Sequence, residues 1–135
     1  MADSMNLQRP LALVLRAAGT NCDRETVHAL ELAGARVESI HVNALGKDPA
    51  ILLEAGLVAF PGGFTFGDDV ASGAVLAHII EERLRPMLQQ FVDRGGLVIG
   101  ICNGFQILTE TRILPGALIR NPNLKYICRT VPLTV

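Results

Sequence analysis

One cysteine in this sequence stands in a pattern that suits a nucleophile. Cys102 follows the apolar run 97–101 and lies between Gly100 and Gly104, where a helical segment begins. This order is typical of a nucleophile elbow, in which small residues two positions before and after the nucleophile avoid steric clashes. The amino terminus of the helix would also stabilise a thiolate. The alternative is a buried cysteine in an ordinary strand-to-helix turn.

A nucleophile that attacks a carbonyl group also needs hydrogen-bond donors for the oxyanion. The backbone N–H of Asn103, directly after the cysteine, is the first predicted donor. The turn Pro61-Gly62-Gly63-Phe64 follows another apolar run, and glycines leave backbone N–H groups open to a ligand. We expect this turn to supply the second donor, although an ordinary tight turn would have the same composition.

The remaining polar residues have less specific patterns. Asp68 and Asp69 could bind a metal or act as acid and base, but capping of the following helix is favoured. The three histidines are expected to be surface or core residues of a helix, a strand and a helix: His28, His41 and His78. Cys22 and Cys128 lack an elbow pattern and are predicted to be structural thiols.

Short apolar runs alternate with helical segments along the chain. Strands are predicted over 11–16, 36–42, 57–60 and 97–101. Helices are predicted over 24–33, with Asn21 or Asp23 as cap, over 48–55, over 71–93 with a break at Pro86, and from 103 onward. This alternation is typical of an open parallel sheet with helices on both faces. Two β-like pieces, 117–120 and 126–135, follow without a closing helix, so the pattern looks cut short.

Composition narrows the class of protein. The 135 residues fit one domain, predicted over 10–135 after a mobile leader at 1–9. A net charge of −1, no Trp and a single Tyr indicate no nucleic-acid surface. The three cysteines are odd in number and widely spaced, which favours a reducing compartment, read as the cytoplasm. The sequence contains no CxxC or HxxxH spacing, so a metal site is not predicted. It also contains no apolar stretch long enough to span a membrane.

Several motifs together resemble a known family. They are GTNCD at 19–23, PGGFTFGDDVASGA at 61–74, GICNGFQILTE at 100–110, LPGAL at 114–118 and N-x-N-L-K-Y-I-C-R at 121–129. GICNGFQ fits the G-x-C-x-G-x-Q signature of class I (triad) glutamine amidotransferases. The fuller set is similar to the glutaminase subunits of phosphoribosylformylglycinamidine synthases, which act in purine biosynthesis. The resemblance implies a flavodoxin-like α/β fold.

The resemblance also implies roles for particular residues. Cys102 would attack the side-chain amide of glutamine and form a glutamyl thioester, and the N–H groups of Gly63 and Asn103 would bind the oxyanion. Gln106, with Gly62 and Phe64, would hold the substrate. Ammonia would pass to a larger synthetase partner. ATP and Mg²⁺ would belong to that partner, and this chain would hold no cofactor.

The sequence departs from the family in two places. Ala18 stands where many members have proline. The family also places its triad histidine and acidic residue in a His-Gly-Glu-like segment well downstream of the elbow, and no histidine follows Cys102 here. We therefore expect the N-terminal part, or a shortened form, of such a subunit. The alternatives are a cysteine hydrolase or redox protein of similar fold, and a catalytically incomplete module that only binds a partner.

Overall fold

A computed structural model describes residues 9–132 and 134 of the chain. Four strands form one sheet: β1 (Leu11–Arg16), β2 (Arg36–His41), β3 (Leu57–Phe60) and β4 (Leu97–Gly100). All pairs are parallel, in the order β2-β1-β3-β4. This is the order of flavodoxin-like sheets, so the predicted open parallel sheet is confirmed. The predicted leader at 1–9 lies, apart from Arg9, outside the described residues.

Over the described residues, five α-helices and two short 3₁₀ helices connect and follow the strands. The α-helices are α1 (Asp23–Leu32), α2 (Val42–Lys47), α3 (Ala74–Arg83), α4 (Arg85–Asp93) and α5 (Asn103–Glu110), and the 3₁₀ helices are Pro49–Leu53 and Thr65–Asp68. The predicted break in the long segment 71–93 is confirmed and falls at Leu84, because Pro86 is accommodated in the first turn of α4. Among the described residues, no helix has the length and apolar character needed to cross a bilayer.

Helix starts depart from the sequence prediction in two places. The residue before α1 is Cys22, and no side chain caps the helix, so the predicted cap by Asn21 or Asp23 is wrong. Helix α2 was not predicted: His41 ends β2, and its Nδ1 accepts a hydrogen bond from the Asn43 N–H at 3.2 Å. A side chain that satisfies a free N–H group favours a helix start directly after the strand.

The two faces of the sheet are covered differently. Alternate residues of β1 and β3 enter one apolar cluster with α2 to α5 and the 3₁₀ helix Pro49–Leu53, among them Leu13, Val58 and Phe60. Helix α1 packs on β1 and β2 and contributes nothing to this cluster. The connection from β1 to β2 runs one way across the sheet, and those from β2 to β3 and from β3 to β4 run the other way. Because such connections are right-handed as a rule, their helices lie on opposite faces, so helices on both faces are confirmed. On the edge strand β4, Leu97 remains 64% exposed and Ile99 45% exposed.

The chain after α5 forms no strand in the described residues. The β-like pieces predicted at 117–120 and 126–135 are therefore wrong wherever the structure describes them, and residues 133 and 135 lie outside it. Ile119 and Tyr126 are 87% and 90% exposed. Apolar alternation predicts a strand only when a neighbouring strand pairs with it, and this segment has a local turn instead, with a hydrogen bond from the Leu124 N–H to the Asn121 carbonyl.

Helix α5 lies unusually close to the end of β3. A Cβ atom added to Gly104 would be 1.9 Å from the carbonyl oxygen of Phe60. A Cβ atom added to Gly100 would be 2.7 Å from the carbonyl oxygen of Gly104. Because these two carbonyl oxygens are backbone atoms, they cannot move aside without displacing the helix from the sheet.

We expect Gly104→Ala to lower the free energy of unfolding by about 2–4 kcal/mol, since the methyl group overlaps the Phe60 carbonyl. Gly46→Ala is the control. It lies in α2, where a Cβ atom would meet only the Arg83 side chain at 3.9 Å. The control should be neutral or stabilising by about 0.5–1 kcal/mol. Urea unfolding measures both, and equal stabilities would contradict the close contact.

Candidate functional site

Three loops meet at the carboxyl edge of the sheet. They follow β1 at 17–22, β3 at 61–73 and β4 at 101–102. The chain leaves β1 toward β2 on one side, while β3 and β4 lie on the other side. Ligands of open parallel sheets bind in the crevice where the strand order reverses in this way. The carboxyl ends of β1 and β3 define that crevice here.

Cys102 occupies a strained turn between β4 and α5. Its backbone has φ 53° and ψ −108°, a conformation that few residues other than glycine adopt, and its side chain is exposed. The Ile101 N–H donates to the Phe60 carbonyl and the Gly104 N–H donates to the Ile101 carbonyl, at 3.0 and 2.9 Å. These bonds and the close seat of α5 hold the cysteine in this conformation, which costs on the order of 1–3 kcal/mol.

The loops after β1 and β3 are joined by backbone hydrogen bonds. The N–H groups of Asn21 and Cys22 donate to the Gly62 carbonyl at 3.2 and 3.1 Å, and the Phe64 N–H donates to the Gly19 carbonyl at 2.9 Å. Gly63 has φ 144°, and a Cβ atom there would be 2.6 Å from the Asn21 nitrogen. The two loops therefore form one unit that requires glycine at position 63.

Gly62 lies directly beside the cysteine. The point where its Cβ atom would stand is 3.5 Å from the Cys102 Cβ and 3.6 Å from the Cys22 Sγ. The structure thus brings Cys22, half-buried, to the same crevice as Cys102. The prediction of a structural thiol at position 22 missed this placement, although its location in the loop after β1 was a signal. Cys128 is exposed in the irregular C-terminal segment.

Two backbone N–H groups near Cys102 have no acceptor. Within the described part of the chain, neither the Gly63 nor the Asn103 N–H donates a hydrogen bond. Asn103 opens α5, where the first N–H groups have no partner within the helix. Phe64, next to Gly63, is 65% exposed. These groups are available to a bound ligand.

The side chain of Asn103 is a buried centre of hydrogen bonds, and only 1% of the residue is exposed. Its Oδ1 accepts from the Thr65 N–H at 3.2 Å and the Thr65 hydroxyl at 2.9 Å. Its Nδ2 donates to Asp68 Oδ1 at 3.3 Å and to Gln106 Oε1 at 3.1 Å. The loop after β3 is thereby bonded to α5. Sequence reasoning assigned a role only to the backbone of this residue.

The predicted capping role of Asp68 and Asp69 is wrong. Helix α3 begins after Gly73, which has φ 77°, and no side chain caps it. Asp68 instead accepts from Asn103, which lies 35 residues further along the chain. Over residues 9–132 and 134, no group of three or more His, Cys, Asp or Glu side chains converges as a set of metal ligands would.

Gln106 faces a surface cleft of about 440 Å³ between the loop after β3, α5 and the C-terminal segment. The charged residues that line this cleft are Asp68, Glu110 and Arg120, and Cys102 is not among the lining residues. The Gln106 side chain is bonded to the Asn103 amide, and the Gln106 backbone N–H donates to the Cys102 carbonyl at 3.2 Å.

None of the three histidines lies beside Cys102. His28 is in α1, and His78 is in α3, where its Nε2 is 3.2 Å from Glu82. His41 ends β2, and two strands separate β2 from β4, which corresponds to about 14 Å at the usual strand spacing. The predicted surface or core placement of these residues agrees with their positions.

The fold and the crevice define a class: α/β proteins with an exposed cysteine at a strained strand-to-helix turn and unpaired backbone N–H groups nearby. The chain belongs to the family of CobB/CobQ-like glutamine amidotransferase domains, whose family model matches residues 9–135.

Individual relatives agree with this family. Phosphoribosylformylglycinamidine synthase subunit PurQ of Dehalococcoides mccartyi is 46% identical over 131 residues, covering 91% of this chain and 51% of that protein. A chain in the structure of PurLQS from Thermotoga maritima is 37% identical with a TM-score of 0.72, covering 90% of this chain and 53% of that one. A putative peptidase E protein of Listeria monocytogenes, 21% identical with a TM-score of 0.60 over 76% of this chain and 51% of that one, shares the fold. The chain spans about half the length of the curated relatives it matches.

The strained backbone at position 102 should make glycine more favourable there than alanine. Cys102→Gly should have a free energy of unfolding about 1 kcal/mol or more above that of Cys102→Ala, because glycine adopts φ 53° without strain. At Cys128, which is not among the residues with positive φ, the same two substitutions should differ little or favour alanine. Urea unfolding of the four variants measures the difference. An alanine variant at position 102 that is as stable as the glycine variant would contradict a strained turn.

Proposed function

We propose that this chain is part of a glutaminase that releases ammonia from glutamine through a thioester on Cys102. We further propose that the ammonia is supplied to the larger synthetase subunit of a phosphoribosylformylglycinamidine synthase. Membership of a glutamine amidotransferase family supports the reaction class, and the similarity to the phosphoribosylformylglycinamidine synthase subunit PurQ of Dehalococcoides mccartyi supports the assembly.

The observation that carries the proposal is the arrangement around Cys102. The cysteine is exposed in a strained turn, and the N–H groups of Gly63 and Asn103 are unpaired within the described residues. Gly62 leaves open the space directly beside the cysteine Cβ. A carbonyl group that enters this space would meet a sulfur nucleophile and two candidate donors at once, as acyl transfer requires.

The reaction follows from these positions. The Cys102 sulfur would form a bond to the amide carbon of glutamine, and the carbonyl electrons would move to the oxygen. The Gly63 and Asn103 N–H groups would donate to this oxyanion. Its collapse would break the carbon–nitrogen bond, and the leaving nitrogen would take up the proton that the thiol gave to the base, so that it departs as ammonia. Water would then hydrolyse the thioester to glutamate and restore the thiol. Gln106, with Gly62 and Phe64, is proposed to hold the substrate.

Proton transfer needs a general base near the sulfur. His28, His41 and His78 lie in other parts of the fold. We therefore propose that the base is a histidine outside these 135 residues, in keeping with the relatives that are about twice as long.

The partner and the cofactors are part of the same proposal. The similarity to a chain of PurLQS from Thermotoga maritima supports a complex with a synthetase subunit. ATP and Mg²⁺ are assigned to that subunit, and this chain is proposed to bind glutamine without a cofactor. Free thiols at all three cysteines are compatible with the cytoplasmic location that we propose.

The site can be tested with the glutamine analogue 6-diazo-5-oxo-L-norleucine. This reagent alkylates a nucleophile that lies in a glutamine-binding site. We expect mass spectrometry to locate the adduct on Cys102 well before Cys128, which is exposed but lies in no crevice. Excess glutamine should slow the labelling of Cys102 about tenfold or more by occupying the same space. Asparagine, one methylene shorter, should protect far less.

Turnover is measured as glutamate release, with and without a synthetase subunit. We expect Cys102→Ala to abolish any release and Cys128→Ala to leave it unchanged. Glutamate release that survives Cys102→Ala, or labelling of Cys102 that glutamine does not slow, would overturn the assigned nucleophile.

A further inference from the structure

We propose that Asn103 is a positioning residue. Its side-chain amide holds the turn after β3 against Cys102, so that the Gly63 and Asn103 N–H groups both face the oxyanion of the substrate. This inference rests on the proposed function and deepens it. It concerns the amide group, which does not touch the substrate. The backbone N–H of the same residue is the candidate donor.

Every hydrogen bond between the loop 61–73 and α5 in the described residues involves this amide. Thr65 contributes both its N–H and its hydroxyl, and Asp68 contributes a carboxylate oxygen. Thr65 is only 2% exposed, so water cannot replace these bonds easily. On its other side, the turn at 62–64 is bonded to the loop after β1. The position of this turn relative to Cys102 is therefore set by two attachments, of which Asn103 is the one on the cysteine side.

The amide uses its full capacity. A carboxamide oxygen accepts two hydrogen bonds and its nitrogen donates two, and all four are present here, to the two Thr65 groups, Asp68 and Gln106. A carboxylate, a hydroxyl or an apolar side chain could not make this set of bonds. The fourth bond connects the amide to Gln106, a candidate substrate residue, so one group would align both sides of the site.

The loop needs such an anchor because its backbone is strained. Six residues between 63 and 73 have positive φ, and three of them are not glycine: Phe66, Asp68 and Val70. Left-handed conformations at such residues cost free energy and persist only where surrounding contacts enforce them. Without the Asn103 bonds, the loop would relax toward ordinary conformations and carry the Gly63 N–H away from Cys102.

The test removes one bond of the network with little change of shape. Thr65→Val deletes the hydroxyl that donates to Asn103 and keeps the Thr65 N–H. Thr109→Val is the matched control, because Thr109 is also buried and its hydroxyl donates one hydrogen bond, to the Phe105 carbonyl within α5. Thr65→Ser restores the hydroxyl. Asn103→Asp is a second variant, which keeps the acceptor facing Thr65 but places a carboxylate where Nδ2 met Asp68.

The measurement is the ratio of two alkylation rates at Cys102, that for 6-diazo-5-oxo-L-norleucine divided by that for iodoacetamide. The diazoketone carbonyl must fit the site, whereas iodoacetamide reports only on an accessible thiolate. We expect Thr65→Val to lower this ratio about fivefold or more, the effect of one neutral hydrogen bond. Asn103→Asp should also lower it. Thr109→Val should leave it within about twofold of the original, and Thr65→Ser should recover it.

Thermal unfolding of the same variants separates positioning from stability. A purely structural role would make Thr65→Val and Thr109→Val lower the ratio in proportion to their loss of stability. That result, or an unchanged ratio in Thr65→Val and Asn103→Asp, would overturn the positioning role. If the unsubstituted chain shows no labelling that glutamine slows, the proposed function fails and this inference fails with it. If Thr65→Val and Asn103→Asp both keep the selective labelling of the unsubstituted chain, the positioning role is overturned and the proposed function stands.

Discussion

The close contact between α5 and the carboxyl end of β3 is the constraint on which the site depends. Gly104 lies so near the Phe60 carbonyl that no side chain fits between them. A helix seated this closely to the sheet can begin only after an abrupt change of chain direction, and the residue at that change is Cys102. The strain of the cysteine is therefore a result of helix packing. The same seat buries Asn103, whose amide then finds its partners in the neighbouring loop.

The crevice is made mostly of backbone. The loops after β1 and β3 are held by N–H and carbonyl groups of residues 18–22 and 62–66, and the unpaired N–H groups near the cysteine are also main-chain groups. Backbone donors need no side-chain ordering when a ligand binds, which suits the stabilisation of a transient negative charge. Glycine at 62 and 63 is the sequence requirement for this arrangement, since a side chain at either position would occupy the crevice or collide with the neighbouring loop.

Much of the fold could be predicted from the sequence, because apolar runs bounded by glycine and proline mark buried parallel strands. All four strands and the break near Pro86 agree with the structure. The strands predicted after 116 failed because alternation does not reveal whether a pairing strand exists. The role of Asp68 was misjudged since capping is inferred from near neighbours, whereas its partner Asn103 is distant in sequence. The Asn103–Thr65 bonds, across 38 residues, could not be read from spacing in one sequence.

The left-handed residues of the loop after β3 have a consequence for behaviour on heating. Segments with strained backbone and few anchors open at lower free energy than the core they are attached to. Val70, with φ 69° and 93% of its surface exposed, lies in such a segment, while the apolar cluster beneath the sheet holds the rest of the chain together. Moderate warming would therefore carry the Gly63 N–H away from Cys102 while the sheet and the Asn103 N–H at the start of α5 stay in place, and the temperature limit of the site would lie below the melting temperature of the fold.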